Sequence, residues 1–417
     1  MRVACLFAAV VLAAVAAVAS AGEWPQILGP SRNGVAAADE RLAAAWPAAG
    51  PKTLWSRTVG AGVAGVAVAG GRVYLFHRVD DRESLESLEE TTGKTLWSDS
   101  HPTRFRPQVG GGDGPLCTPV VHEGRVIVFG AQGVLACIDA ATGKRLWSRD
   151  TRLEFGAAEG YFGCGSTPLV IGRRVIVNVG GAKREAGVVA FDSATGETLW
   201  TATAEPASYA APVCVRIEGH DHAVVVTRYQ CLLLDPATGT VRWKFPFGQR
   251  GPTVNAASPL AFGDGHLLVT AAYGIGSVYA AFDARGVTPV WEGAEPLASQ
   301  YATPIEVDGR LYCIDGRDDV PPADFKCIDR RTGRLLWKER DFGYGTMLLA
   351  DGKLLVVKTD GELVLVRPDP TGLEVLARAR PFAADPAGGA VRALPALAGR
   401  RLYLRDDHTL RCLEVGP

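Results

Sequence analysis

Cys137-Ile-Asp139-Ala-Ala-Thr142-Gly143-Lys144-Arg-Leu-Trp147 is the stretch from which the fold can be read. Its first residues are those of a buried strand end, and Thr-Gly makes a tight turn. Lys-Arg-Leu-Trp then opens the next strand, with Leu146 and Trp147 as its apolar anchors. The short Asp139 carboxylate can accept hydrogen bonds from turn amides, and Gly143 supplies the positive φ such a turn needs. The same frame returns as Ala190-Phe-Asp192…Gly196…Trp200, Leu233-Leu-Asp235…Gly239…Trp243 and Cys327-Ile-Asp329…Gly333…Trp337. Ala281-Phe-Asp283…Trp291 keeps the spacing but moves the glycine to Gly286, and Ser87…Gly93…Trp97 lacks the Asp. Val366…Gly372…Leu376 reads as a copy whose Trp has become Leu. The chain is built of repeats.

Each repeat carries four short β-branched runs separated by turn residues, as in Cys117–Val121, Arg125–Phe129, Val134–Ile138 and the Lys-Arg-Leu-Trp strand. No stretch of helical period with caps interrupts them. The Trp positions 55, 97, 147, 200, 243, 291 and 337 are 42 to 53 residues apart. A four-stranded unit at that period predicts a β-propeller, with the indole rings filling the space between twisted blades. The last unit supplies three strands, at Ala393–Leu397, Arg401–Leu404 and Thr409–Glu414. Its fourth is expected from Lys52–Trp55, which arrives early and without a first half. The fold class is therefore all-β, an eight-bladed propeller of four-stranded antiparallel blades, the last blade closed by the N-terminal strand.

The 417 residues carry 47% hydrophobic and 21% charged side chains with a net charge of −1, a soluble composition without a long-range field for nucleic acid. Residues 1–21 read as a signal peptide: Arg2, an apolar run from Leu6 to Ala19, and Ala19-Ser20-Ala21 as the cleavage site. That run is shorter than the roughly 20 residues of a membrane span, and Cys5 lies ahead of it, where it cannot be a lipoprotein cysteine. The expected location is periplasmic or secreted, with no membrane span after cleavage. Residues 22–50 are expected to be an extended arm on the domain surface, and 51–417 the propeller. Eight cysteines remain after Cys5. Cys137, Cys327 and Cys412 occupy one frame position, where Ala190 and Ala281 sit in sister repeats, so they read as buried core residues. Cys117 and Cys164 are the pair that could cross-link.

The frame A-x-D-x-x-T-G-K-x-x-W, repeated eight times with a split blade, resembles the quinoprotein-type, PQQ-like β-propeller repeat over about residues 51–417. Glu23-Trp-Pro-Gln-Ile-Leu-Gly29-Pro-Ser-Arg-Asn-Gly34 looks like the arm that precedes many exported propellers of this group. WD40 and kelch repeats lack a match here. The resemblance implies one of two classes: dehydrogenases of alcohols and sugars that use pyrroloquinoline quinone (PQQ) and calcium, or non-enzymatic scaffolds similar to BamB, which help assemble outer-membrane β-barrel proteins. The dehydrogenases typically carry a disulfide between adjacent cysteines over the quinone; this chain has no Cys-Cys dipeptide, and calcium ligands cannot be placed residue by residue.

The connections from one blade's outer strand to the next blade's inner strand surround one mouth of the axial channel. Tyr209 and Tyr301 stand three residues before an aligned proline, and Tyr344 takes the same slot one repeat later. Tyr161-Phe162, Arg104, Arg106, Arg250 and Asn255 lie in equivalent connections. Two readings stand side by side: a funnel that stacks on and hydrogen-bonds a peptide or glycan, and tyrosines that seal the inner strands by packing. Weaker features are the Gly110–Gly114 loop, which precedes a strand, His220-Asp221-His222 in a predicted hairpin turn, and Asp315, Asp318 and Asp319, a carboxylate group without EF-hand spacing. The expected function is an exported non-enzymatic binding or scaffold protein of the cell envelope, a monomer facing protein or polysaccharide. A PQQ-dependent dehydrogenase with a divergent site is the alternative.

Overall fold

The computed structural model describes residues 22–382 and 389–417. The expected signal peptide, residues 1–21, lies outside the described residues. Thirty-two strands form eight four-stranded antiparallel sheets arranged as a propeller. Blades 1 to 7 span 67–102, 120–150, 169–202, 213–246, 260–293, 305–339 and 345–379. Blade 8 takes its three inner strands from 396–414 and its outer strand, Lys52–Thr58, from the other end of the chain. Lys52 pairs with Glu414, Trp55 with Cys412 and Thr58 with Thr409. The ring closes as the sequence implies. A five-residue helix, Thr151–Phe155, is the one α-helix among the described residues, started by the Asp150 carboxylate accepting from the Leu153 amide and stopped by Gly156 at φ 65°.

The repeated frame works through its turn. Asp139 Oδ1 accepts from the Thr142 amide at 2.8 Å and from its hydroxyl at 2.7 Å, and these bonds hold the carboxyl below the usual carboxylate range. The turn then becomes a seat for the preceding blade's indole. The Nε1 groups of the seven repeat tryptophans each donate to a backbone carbonyl of the next blade's outer turn, at 2.8–3.1 Å: Trp55 to Glu90, Trp97 to Ala140, Trp147 to Ser193, Trp200 to Pro236, Trp243 to Asp283, Trp291 to Arg330 and Trp337 to Asp369. The ring also lies on the turn glycine: a Cβ at Gly143, where φ is 74°, would stand 2.7 Å from the Trp97 indole. At Gly286 a Cβ would meet nothing within 4 Å; there Phe282 packs edge-on against Trp243 instead, 5.8 Å between ring centres. Gly143→Ala is therefore expected to lower stability by about 2 kcal/mol or more, and Gly286→Ala by less than about 0.5 kcal/mol. Equal melting temperatures for the two variants would contradict the seat.

One residue before the Trp position, every outer strand carries a β-bulge. Leu54, Leu96, Leu146, Leu199, Arg242, Val290, Leu336 and Leu376 have no partner in the register. A bulge twists the strand and spoils its free edge as a template for pairing with another chain. The same register corrects two assignments. In blade 5 the outer turn is shorter, so Trp291 faces Tyr279 and Ala281 faces Thr288; Tyr279, not Ala281, is the counterpart of Cys137. In blade 7 the turn is longer, Leu376 is the bulge, and Ala377 takes the Trp position opposite Leu365. Blade 8 offers no outer turn to seat an indole, since its third strand ends at Glu414 and its outer strand enters at Lys52 from the arm.

The core lies between blades rather than within one sheet. Seven apolar clusters fill the gaps, and the largest joins blades 7, 8 and 1 to Trp24, Ala36 and Leu42 of the arm. Cys137, Cys327 and Cys412 sit in these clusters, fully buried. Closure also has a polar clamp. Arg57 of the outer strand of blade 8 grips Glu86 of blade 1 at 3.0 and 3.1 Å, and Thr95 donates to the same carboxylate at 2.5 Å. Burial works against the charge, yet His77, Thr95 and Arg57 hold the Glu86 carboxyl down at about 2. An acid depressed below its ordinary 4.5 contributes stability above that value and loses it as pH falls toward 2. Glu86→Gln should therefore narrow the stability difference between pH 5 and pH 2.5 by about 2 kcal/mol. An unchanged acid melting profile would count against the clamp.

The arm departs from expectation. It does not lie on the outer surface but runs across the axis. Trp24 and Val68 exchange backbone hydrogen bonds at 2.8 Å, and the Pro25 carbonyl accepts from Val121. Val35 bridges Leu349 in parallel, Gly34 lies against Ile305, and Glu40 accepts from the Gly399 and Arg400 amides at 2.6 and 2.9 Å. At its deepest point Arg32, 3% exposed, donates to the carbonyls of Thr167, Pro168 and Pro212. These partners belong to the inner strands, strand starts and inner turns of blades 1, 2, 3, 4, 6, 7 and 8. Only a segment on the axis reaches them all.

Candidate functional site

Because the arm enters from the side of the inner turns, it closes that end of the axis. The opposite mouth is rimmed by the connections between blades and by the turns between the second and third strands, and it holds the residues singled out from sequence. Their roles differ. Tyr344, 5% exposed, accepts from the amides of Tyr301 at 2.7 Å and Ala302 at 2.9 Å. Tyr209 does the equivalent job three blades away, accepting from the Phe162 amide at 2.9 Å, and burial pushes its phenol up to about 12. Each hydroxyl reaches back to the preceding connection and fixes its backbone, as the packing reading expects. The Tyr301 hydroxyl, by contrast, is buried without a partner, and its ring lies 4.6 Å from that of Tyr344.

Asn255 is also internal. Its side chain donates to Thr227, Arg228 and Phe247 carbonyls at 2.9–3.2 Å, and its own carbonyl accepts from Tyr209 and Ala210. Arg106 is exposed and pairs with Asp113 at 3.0 Å and Asp81 at 3.5 Å. The side chains of Arg104 and Arg250 are exposed. Tyr161 is half-buried, with its hydroxyl 3.5 Å from the Gly251 carbonyl. The structure thus brings Tyr161, Tyr209 and the Arg250–Asn255 connection together on one side of the mouth, and Tyr301 with Tyr344 on the other. Arg106 sits apart with Asp113 and Asp81, and the Arg104 amide donates to the Gln132 side chain.

Several mouth residues escaped the sequence reading because they sit on turns within blades rather than on connections between them. Arg228 and Tyr229, Tyr273, and Arg317 are such residues. Arg317 stacks on Tyr273 at 4.4 Å. Arg405, 2% exposed, props the mouth from below by donating to the Gly60 carbonyl at 2.8 Å.

The acidic groups are individually committed. Asp315 pairs with Lys326 at 2.6 Å, Asp318 with Arg392 at 2.7 Å, and Asp319 with Arg317 at 2.5 Å. Among the described residues no three His, Cys, Asp or Glu side chains gather as a metal site. The three aspartates do not fit a calcium ion: each would have to leave its cation first. His220-Asp221-His222 opens the second strand of blade 4 rather than forming the turn, which is Glu218-Gly219. His222 is buried against the His220 carbonyl. Cys117 donates to the Cys164 carbonyl at 3.6 Å, and both thiols are free, with burial raising each of them. Gly110–Gly112 is exposed. No helix among the described residues is long and apolar enough to cross a membrane.

A family model described as "Outer membrane protein assembly factor BamB" matches residues 18–104 and 81–339. The outer membrane protein assembly factor BamB of Moranella endobia is 22% identical over 270 residues, 60% of this chain and 63% of that protein. The 1-butanol dehydrogenase (cytochrome c) of Thauera butanivorans is 34% identical over 106 residues, 24% of this chain and 14% of its own length. The match thus spans less than two thirds of either relative. The crystal structure of BamB from Moraxella catarrhalis superposes with a TM-score of 0.62 at 15% identity, covering 87% of this chain and 99% of that one; at that identity the likeness shows the fold. With the family model spanning more than half of the sequence, the chain belongs to the outer membrane protein assembly factor BamB family, a branch of the PQQ-like propellers.

Proposed function

We propose that the chain is an exported, non-enzymatic scaffold of the cell envelope that takes part in assembling outer-membrane proteins and presents its open mouth to a protein partner. The observation that carries this reading is how the polar groups of the mouth are engaged. The hydroxyls of Tyr209 and Tyr344 hold backbone amides, and Asp315, Asp318 and Asp319 are each tied to a cation. The surface left at the mouth, with exposed Arg104 and Arg250 and the part-exposed rings of Tyr161 and Tyr229, suits recognition better than proton transfer. Residues 1–21 are the proposed export signal, 22–50 the arm and 51–417 the propeller, working as a monomer in the periplasm or outside the cell. Polysaccharide is the alternative partner.

The competing reading is a PQQ-dependent alcohol or sugar dehydrogenase with a divergent site, favoured by the 34% match to the butanol dehydrogenase. Against it weighs the pairing of Asp315, Asp318 and Asp319, the carboxylates clustered at the mouth, each with a cation of its own. A crosslinking pull-down from envelope extract tests the proposal: the mature protein should capture a small set of envelope proteins through the mouth. Tight, stoichiometric uptake of PQQ with calcium, accompanied by dye reduction on alcohols or sugars, would replace it with the dehydrogenase.

A further inference from the structure

Arg228 stands out among the mouth cations. It sits with Tyr229 in the turn between the second and third strands of blade 4, half-buried. Its guanidinium lies 5.6 Å from the centre of the Tyr161 ring and 5.7 Å from that of Tyr229. Its hydrogen bond is to the Gly251 carbonyl, at 2.6 Å. Neighbouring arginines are neutralised by carboxylates: Arg317 by Asp319, Arg392 by Asp318 and Arg106 by Asp113. No carboxylate among the described residues pairs with Arg228 in this way. Arg250, next to Gly251, is exposed and adds a second positive charge.

We infer that Arg228, supported by Arg250, is a seat for a carboxylate side chain of a bound acidic peptide. The inference rests on the scaffold reading and specifies its ligand. Two rings and a backbone carbonyl already fix the guanidinium, so little rotamer freedom is lost when a ligand arrives. A planar fork of donors matches a carboxylate in a bidentate way that an ammonium does not. A peptide suits the seat better than a sugar. The guanidinium already covers a face of each tyrosine, and its donor edge is a place for an acid rather than a platform for a pyranose ring.

The test uses fluorescence polarisation with the full mature protein and a labelled peptide, Gly-Glu-Val-Glu-Val-Glu-Val-amide, beside its Gln-for-Glu counterpart. The acidic peptide should bind about tenfold more tightly than the neutral one, and its affinity should fall with added salt. Arg228→Gln should remove about tenfold of that affinity, and Arg228→Lys should restore only part of it. Arg250→Gln should cost about two- to threefold. Equal binding by wild type and Arg228→Gln, both folded by circular dichroism, would overturn the seat. So would a uronic-acid tetrasaccharide binding more tightly than the peptide. The two proposals fail separately: an Arg228→Gln protein that still captures the same envelope proteins removes the seat and leaves the scaffold. A wild-type protein that captures none removes the scaffold, whatever the peptide does.

Discussion

Replacing Arg32 with Met is expected to lower the melting temperature sharply, with a loss of about 3–5 kcal/mol. Arg32 is the innermost residue of the arm, and its guanidinium bonds the carbonyls of Thr167, Pro168 and Pro212 at the axial ends of blades 3 and 4. Methionine fills similar volume but donates nothing, so those carbonyls lose a charged donor in a site closed to water. Burial brings the guanidinium down to about 9, which still leaves it charged at neutral pH. Arg32→Lys should fall between the two, because an ammonium keeps the charge but cannot span carbonyls from two blades with a rigid fork. Thermal unfolding followed by tryptophan fluorescence measures all three proteins. A melting point for Arg32→Met within a degree of wild type would mean that the arm is ornamental to the ring.

Trp55→Ala should have the second large effect, because Trp55 couples the two ends of the chain. Its indole bonds Glu90 of blade 1, lies on Gly93 and packs 5.9 Å from Tyr403 of its own blade. Removing a buried Trp costs about 3–5 kcal/mol, and here the loss falls on the seam where no covalent link joins neighbouring strands. Amide exchange in Lys52–Thr58 should accelerate by at least about a hundredfold, corresponding to roughly 3 kcal/mol of local protection. Strands of blade 4, far around the ring, should keep their protection. Uniform acceleration everywhere would show that the ring melts as one unit instead.

Much of this architecture is legible in the sequence because each blade repeats the same solution. Asp, Gly and Trp recur at fixed offsets since one turn must both cap its own strand and receive the preceding indole. Strand pairing is less legible. Asp283 and Trp291 keep the standard spacing, yet a shorter turn moves the Trp from opposite Ala281 to opposite Tyr279. The distance between two residues along the chain does not reveal how much of it lies in the turn. The arm is hidden for another reason. It has no period, and its bonds to the blades span from 44 positions, at Trp24 and Val68, to 360, at Glu40 and Arg400, mostly through backbone groups that any residue carries. At the mouth, the tyrosine slots are visible because they precede aligned prolines. Whether a hydroxyl faces solvent or caps an amide, as in Tyr344, depends on a connection from the preceding blade. Arg228 could have been found by asking which turns within blades rim the same mouth.

The central claim, a scaffold that receives protein at its open mouth, is tested most directly by placing a photo-crosslinking amino acid at position 250 in the living cell. A second copy at exposed Leu146, on the outer strand of blade 2, serves as the reference. Adducts with outer-membrane proteins are expected from position 250, and few or none from position 146. Adducts from the outer strand alone, with none at the mouth, would contradict that claim.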